Sequence, residues 1–503
     1  MADYLNFKSV PLDANGKHTI IIVGAGIIGV CTAYFVVTHP KYNPDKYRVV
    51  IIESKRVAGG ASGKAGGLLA LWAFPQQIVP LSFGLHQQLS DMYGGDTEWG
   101  YRRLTTVSLE GDLTNISEAD DDDDDEDDDN PGSKKPSTSS AQMESSSSNE
   151  EPPKKFSRRS DSSKKSVKTG SKLPKTLNWI NSDVISSCTT LGDTDTTAQV
   201  HPYKFTNFIL KKAVELSKGS LELVLGKVID VDYNYESGSA VGVNYELTSI
   251  KELDKGRAKT INLKGEQVVM TVGPWTSKIL PDCPISGLRA HSITIAPFKD
   301  QPVSPYGIFT ELKTANNSYI SPEIYARQDE VYVCGEGDSA VDVPETTDDV
   351  EVVTTKCDEL FNEVSKFSPN LRKGRIIKRQ ACYLPVLEVP TSSGPLIGET
   401  NVSNLYLCSG HSCWGINNAP GSGKIMSEVL MDGKCTSAKI SALDPSLYFD
   451  ASVLIDQDED EEDEDEENED EEENEDEDEE GDGDEEDEND DDYDGDNAND
   501  TRA

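Results

Sequence analysis

Three glycines and one acid have the types and spacing to hold a dinucleotide. They lie in Thr19-Ile20-Ile21-Ile22-Val23-Gly24-Ala25-Gly26-Ile27-Ile28-Gly29 and, after a second apolar run Val49-Val50-Ile51-Ile52, at Glu53. Gly24 permits a tight turn, Gly26 leaves room for a pyrophosphate against the backbone, and Gly29 lets a helix pack closely on the strand. The helix opening at Ile27 and Ile28 presents unpaired N–H groups and a partial positive charge to phosphates. Glu53 would accept hydrogen bonds from a ribose hydroxyl, and its charge would repel a 2′-phosphate, so NADP is disfavoured. The acid comes later than the usual spacing of about 20 residues, because a connection with two prolines, Thr38 to Lys46, lengthens the unit.

Four further segments could reach a flat or anionic ligand. Gly59 to Leu68 concentrates small residues around Ser62, Lys64, Gly66 and Gly67, which allows close backbone approach; a plain surface loop is the bland alternative. Gly226-Lys227-Val228 is a strand edge able to pair with an adenine. Val268 to Trp275 is a buried strand ending at Gly273, where open α/β sheets bind ligands. Gly410 to Asn417 repeats the pattern of strand, glycine turn and helix, and would aim a second set of N–H groups at an anionic site. Two such turns at opposite ends of the chain suit a long cofactor, with phosphates at the first and a reactive ring at the second. An NAD-dependent dehydrogenase explains Glu53 but not the turn near Gly415.

The elements that must position these residues read as follows. Buried strands are expected at Thr19–Val23, Val49–Glu53, Gln267–Val272 and Asn404–Cys408, and a strand-like run at Leu104–Leu109. Leu221 to Val231 reads as a strand pair, Phe205 to Leu216 as an amphipathic helix, and Gly421 to Met431 as a helix. Alternating strands such as Ser292–Ile295 and Val331–Cys334, with one helix around Cys357–Phe367, suggest a mostly antiparallel unit. The fold class is therefore α/β: a discontinuous Rossmann-like domain carrying an inserted, mostly antiparallel α+β substrate domain. The nucleotide-binding parts are 18–110, 176–284 and 389–450, and the cap is 285–388. Residues 111–175 read as a disordered acidic and Ser/Lys-rich insertion, and 451–503 as a disordered acidic tail.

The chain has 503 residues and a net charge of −45. Eleven acids in 118–129 and 34 in 456–500 account for that excess; the remaining 47 acids balance 47 Lys plus Arg. The foldable part is near neutral and offers no basic face for nucleic acid. Nine scattered cysteines without a CxxC pair fit free thiols in a reducing compartment, and no metal-ligand spacing is present. The polar N-terminus lacks a signal-peptide core, and no apolar run approaches the 18 or so residues of a membrane span. These features lead to an expectation of a cytoplasmic protein, with any membrane contact peripheral. The acidic segments could recruit protein partners or only solubilise.

GAGIIG with Glu53, GGASGKAGGLL, VVMTVGPWTSKIL, and SGPLIGET followed by LYLCSGHSCWGINNAPGSGKIMSEVL occur in an order that resembles the FAD-dependent oxidoreductases of D-amino acid oxidase type. The resemblance covers residues 18 to about 432 apart from the insertion, and is nearest to fungal members, some of whose relatives have been placed in endosomal trafficking. It implies FAD, an antiparallel sheet covering the flavin, and hydride removal from a C–N bond of a small-molecule amine or amino acid. Carried over by motif, Gly24, Gly26, Ile27, Ile28 and Gly29 would hold the pyrophosphate, and Glu53 with Ser54 the adenosine ribose. Ser62, Gly66, Gly67 and Leu68 would lie along the pyrophosphate and flavin, Val228 at the adenine, and Gly273 and Trp275 near the ribityl or diphosphate. Gly410, Gly415, Ile416 and Asn417 would face the flavin. Family amine oxidases often clamp a substrate carboxylate with an arginine in a Gly-Leu-Arg-Pro segment; the matching stretch here is Cys382-Tyr383-Leu384-Pro385. Leu384 stands where the arginine would be, unless Arg289 or Arg327 substitutes. Cys382 is the candidate for covalent flavin attachment, with an ordinary buried thiol as the alternative, and His291 and His411 are candidates for a proton role. A flavin-binding scaffold with vestigial catalysis is the competing reading.

Overall fold

The computed structural model describes residues 6–114, 173–248, 259–298, 303–315, 317–392 and 394–452. The expected insertion and tail fall almost wholly outside the described residues. Within them, two large sheets face each other across a cavity. The first has the order Thr260–Lys264, Ser239–Leu247, Leu221–Asn234, Tyr47–Glu53, His18–Val23, Gln267–Met270, Leu405–Ser409, Leu396–Glu399. Its centre is parallel, pairing Val23 with Ile52, Val269 with Ile22 and Tyr406 with Val269. The runs Ile20–Val23 and Val49–Glu53 are buried throughout, which is why they read as continuous apolar segments: helices cover one face and the second sheet's side covers the other.

The helix Ile27–Val37 is so enclosed that it shows almost no polar face, and it packs between Pro202–Leu216 and Gly415–Asp432. Its crossing with the last of these is tight: a Cβ on Gly423 would lie 2.5 Å from the carbonyl carbon of Cys31. The last helix begins at Gly415, not at the expected Gly421, and runs through Pro420. Proline lacks the N–H that would bond the carbonyl of Ile416. His86 Nε2 donates to that oxygen instead, at 2.9 Å, so the helix continues without an orphaned acceptor.

The stretch expected as a strand pair at Leu221–Val231 is a single strand, Leu221–Asn234, whose antiparallel partner is Ser239–Leu247. No turn interrupts it; the turn comes at Tyr235–Gly238, with Gly238 at φ +60°.

The second sheet has the order Arg375–Leu387, Ile285–Ala296, Val331–Asp338, Glu323–Ala326, Tyr306–Lys313, Thr105–Asp112, Ile185–Gly192. All its pairings are antiparallel except Thr105–Asp112 with Tyr306–Lys313. The strands flanking the 115–172 segment thus hydrogen-bond into the second sheet. The helix Thr354–Phe367 covers its outer face through Cys357, Leu360, Val364 and Phe367.

Candidate cofactor and active site

A cavity of about 390 Å³ lies at the carboxyl ends of the parallel strands, where open α/β sheets take their ligands. Gly24, Gly26, Ile27 and Ile28 line it from the first turn, Glu53 and Ser54 from the second strand, and Ser62 from the small-residue loop. Val228, Gly273, Trp275, His411, Gly415 and Ile416 complete the set of expected residues that it brings together.

The first turn is fixed by sterics. Gly24 has φ +101°, and a Cβ on Gly29 would fall 2.2 Å from the carbonyl oxygen of Gly24 and 2.6 Å from Thr271 Oγ1. Gly29 therefore does not line the cavity; it lets the helix start directly under the turn. Ser62 Oγ accepts from the Ile27 amide at 2.9 Å. The helix has no capping side chain at Gly26, so its own turns leave the Ile28 and Gly29 amides unsatisfied. That is the electrostatic arrangement a pyrophosphate needs.

Glu53 does two jobs. Its Oε2 accepts from the Ala25 amide at 2.9 Å and its Oε1 from Lys55 and Arg56 amides at 3.0 and 3.3 Å. Burial pushes its carboxyl above the usual range, and these backbone donors pull it back. Glu53 also marks the end of pairing with Leu221–Asn234: Glu53 opposite Leu225 is the last pair. From Gly226 to Ile229 that strand keeps Ser239–Leu247 on one side and lines the cavity on the other. The open edge expected at Val228 exists because one strand outruns its neighbour.

Other expected residues lie beside the cavity without lining it. A Cβ on Gly66 would strike the Tyr325 ring at 2.2 Å, and one on Gly67, at φ +91°, would strike Val200 O at 2.1 Å. Leu68 is buried in a short strand paired with Gln199. Gly66 fits the loop against the second sheet, and Arg327 holds it there by donating to the carbonyls of Ala65 and Gly66. Gly410, at φ +83°, makes the second turn. Asn417 is buried, with Oδ1 accepting from the Ala70 amide at 2.9 Å, so it ties the last helix to that short strand. Cys382 is buried on the second sheet; Leu384 and Pro385 in the same strand line the cavity. Lys64 donates to Ala381 O at 2.9 Å, and burial lowers its pKa.

The proton role expected of the two histidines finds no support in the geometry. His291 sits opposite Ala381, one residue off the row Ala290–Cys382, so strand alternation turns it to the outer face. There its Nε2 accepts from the Val353 amide at 3.0 Å. His411 does line the cavity, but it is fully buried, meets Ser422 Oγ at 2.9 Å, and burial drives its pKa down to about 3. It is a neutral hydrogen-bonding group. Nor is either alternative arginine available as a clamp. Arg289 lies one residue from Leu288, the partner of Leu384, and so also faces outward, bonded to Glu351 at 2.9 Å and Asp338 at 3.1 Å. Arg327 is bound to Glu330 at 2.5 Å besides its two carbonyls.

Sequence reasoning missed Lys278, Glu345 and Thr347 on the cavity wall, and did not single out Thr271, Cys413 and Pro385 within the segments it named. Thr271 could have been found: it ends a buried strand just before Gly273, and its hydroxyl bonds Val23 O at 2.7 Å. Glu345 and Thr347 carry no local signal, because a connection of the second sheet brings them in.

Where the second sheet meets the glycine loop, aromatic rings follow one another: Phe74, Trp414, Trp72, Phe309, Tyr325 and Tyr332, with successive centroids 5.6–6.1 Å apart. Glu323 lies at this strip and accepts from Tyr325 Oη at 2.5 Å. The guanidinium of Arg327 sits 4.9 Å from the Tyr332 centroid, a cation on a ring face. The indole N–H groups of Trp72 and Trp414 are buried without a partner.

Comparison with known proteins agrees with this architecture. The sequence model of the family "FAD dependent oxidoreductase" (DAO) matches residues 19–130 and 186–429. The Saccharomyces cerevisiae protein TDA3 is 48% identical, over 89% of this chain and 98% of its own length. Among solved structures, iminodiacetate oxidase from Chelativorans superposes with a TM-score of 0.57 at 16% identity, over 85% of this chain and 98% of that one. Glycine oxidase from Bacillus cereus gives 0.56 at 16% identity, over 84% and 96%. The glycine-sculpted cradle, the open strand edge at Val228 and the second turn at Gly410 fit an extended flavin dinucleotide. The chain belongs to the FAD-dependent oxidoreductases of D-amino acid oxidase type.

Proposed function

We propose that this protein oxidises a C–N bond of a small amine. Bound FAD supplies the hydride acceptor. The Ile28 amide at the helix start would hold the pyrophosphate, Glu53 the adenosine ribose, the Gly226–Val228 edge the adenine, and the Gly415–Ile416 helix start the ring. The carrying observation is that one cavity runs from these groups to Leu384 on the second sheet. The solved relatives named for iminodiacetate and glycine act on amino acids, and this chain departs from that chemistry at the same place. With Leu384 on the cavity wall and Arg289 and Arg327 committed elsewhere, no arginine among the described residues lines the cavity to pair with a substrate carboxylate. Leu384 and Pro385 put an apolar surface there, which suits an uncharged amine instead. Leu384 and Pro385 would orient the carbon to be oxidised and exclude water.

Anaerobic mixing of the flavin-loaded protein with a panel of simple amines and amino acids tests this reading. Bleaching of the flavin absorbance by amines lacking a carboxylate, and slower or no bleaching by glycine and its N-methyl derivative, is the expected result. Reduction by amino acids alone would overturn the substrate class. If nothing in the panel reduces the flavin, the second reading gains: a flavin-holding scaffold without turnover, which the missing clamp also favours.

A further inference from the structure

The connection between the strand Val331–Asp338 and the helix Thr354–Phe367 leaves the second sheet and contributes Glu345 and Thr347 to the cavity wall. Its two ends are fixed to the second sheet. Asp338 and Glu351 both bind Arg289, Tyr383 Oη donates to the carbonyls of Val341 and Asp342 at 3.1 and 3.0 Å, and the Val353 amide donates to His291. The middle is held quite differently, by groups of the first sheet's side. Trp275 Nε1 donates to Pro344 O at 2.6 Å. Lys227 and Lys278 each bind one oxygen of Glu345, at 2.5 and 2.6 Å, and Arg56 binds Asp348 at 2.7 Å. Glu345 and Asp348 are largely open to solvent, at 62% and 42% side-chain exposure. Ion pairs so exposed are weak and screened by salt.

Glu345 and Thr347 both line the cavity. Thr347 Oγ1 is buried and has no hydrogen-bond partner, and it lies so close to the glycine loop that a Cβ on Gly59 would be 2.8 Å from it. A buried hydroxyl without a partner is costly unless a ligand satisfies it.

We propose that residues 339–352 form a latch over the cofactor: the Thr347 hydroxyl bonds FAD directly, and the ion pairs of Glu345 and Asp348 set how often the latch opens. The ends of the connection stay fixed while its middle lifts. FAD exchange is then sensitive to ionic strength although the fold is not. This inference rests on the FAD assignment, and on nothing about the substrate.

The test is the rate at which FAD leaves the loaded protein, read as the rise in free-flavin fluorescence on dilution, with the melting temperature recorded in parallel. Screening of these three exposed pairs predicts a rate about three- to tenfold higher in 0.5 M than in 0.05 M NaCl. Glu345→Gln should raise the low-salt rate and remove most of the salt dependence. Thr347→Val should raise the rate while keeping that dependence, because it removes a ligand contact and no charge. Hydrogen exchange of the 345–348 amides in the loaded protein provides a measurement independent of dissociation, and should accelerate with salt while the amides of Val331–Asp338 do not. A release rate and amide exchange indifferent to salt, or a Glu345→Gln variant with unaltered salt dependence, would overturn the latch. Protein that never takes up flavin would instead sink the cofactor assignment beneath it.

Discussion

The two ends of the cavity are built from different materials. At the first turn the wall is backbone: helix amides, an open strand edge, and glycines whose added Cβ atoms would collide with carbonyl oxygens. At the second sheet the wall is side chains, Leu384 and Pro385. Backbone contacts recognise what every FAD shares, and hard sterics leave little freedom in how to make them. Side-chain contacts are replaceable one at a time, so the substrate end can diverge while the cofactor end is held.

The sharpest way to break this contrast is Gly29→Ala. Its methyl must occupy space 2.2 Å from Gly24 O and 2.6 Å from Thr271 Oγ1, so the helix or the turn has to move. The expected outcome is loss of bound flavin after gel filtration, with about 1–3 kcal/mol of lost stability in denaturant unfolding. Retained stoichiometric flavin would show that the cradle is softer than its geometry implies.

Next in size, Leu384→Arg rebuilds the other end. A guanidinium there should leave flavin content unchanged and create binding for a simple carboxylate such as acetate, at least tenfold tighter than in the parent protein, given about 1.5–3 kcal/mol for a charge-assisted bond. Perturbation of the flavin spectrum on titration measures it. No gain in carboxylate binding would mean that Leu384 does not face the substrate.

His411 connects the two ends and predicts a pH dependence. Its folded pKa, about 3, lies below the ordinary 6.5. Above pH 6.5 the group is neutral whether folded or not and contributes no slope. Between 6.5 and about 3 the unfolded chain binds a proton that the folded one refuses, so stability falls as pH falls. His86 and His201, held at about 4, act in the same direction. The acid limb of the stability curve should therefore flatten in His411→Gln, which keeps a hydrogen-bonding group beside Ser422; an unchanged limb would mean that His411 titrates normally.

The smallest effect is expected from Ser62→Ala. Removing one 2.9 Å bond to the Ile27 amide should cost about 1 kcal/mol, read as flavin affinity weakened about fivefold. No change would mean that the amide finds another acceptor in the loaded protein.

Local signals in the sequence were sufficient for the cradle. Gly24, Gly26 and Glu53 are legible because a turn, a close approach and a strand end each demand a residue type at a fixed short spacing. The same logic overreached in the loop Gly59–Leu68, where Gly66 and Gly67 are small in order to admit Tyr325 and Val200 rather than the cofactor. A glycine declares that something approaches, but not what. The last helix was read as starting six residues late, since Pro420 looks like a boundary until His86, 334 positions earlier, supplies the missing donor. Strand register hid the rest: which of Leu288, Arg289, Ala290 and His291 face the cavity depends on a pairing with Tyr383 and Leu384 almost a hundred residues away.

The sequence by itself determined the cofactor class and the chain's order of strand, turn and helix, because those follow from the sterics and hydrogen bonding of neighbouring residues. Only the tertiary structure decided which side chains meet at the substrate end, that both candidate arginines and His291 are spent elsewhere, and that Glu345 and Thr347 line the cavity. Those outcomes depend on strand alternation and long-range pairing, where a shift of one residue sends a side chain to the opposite face.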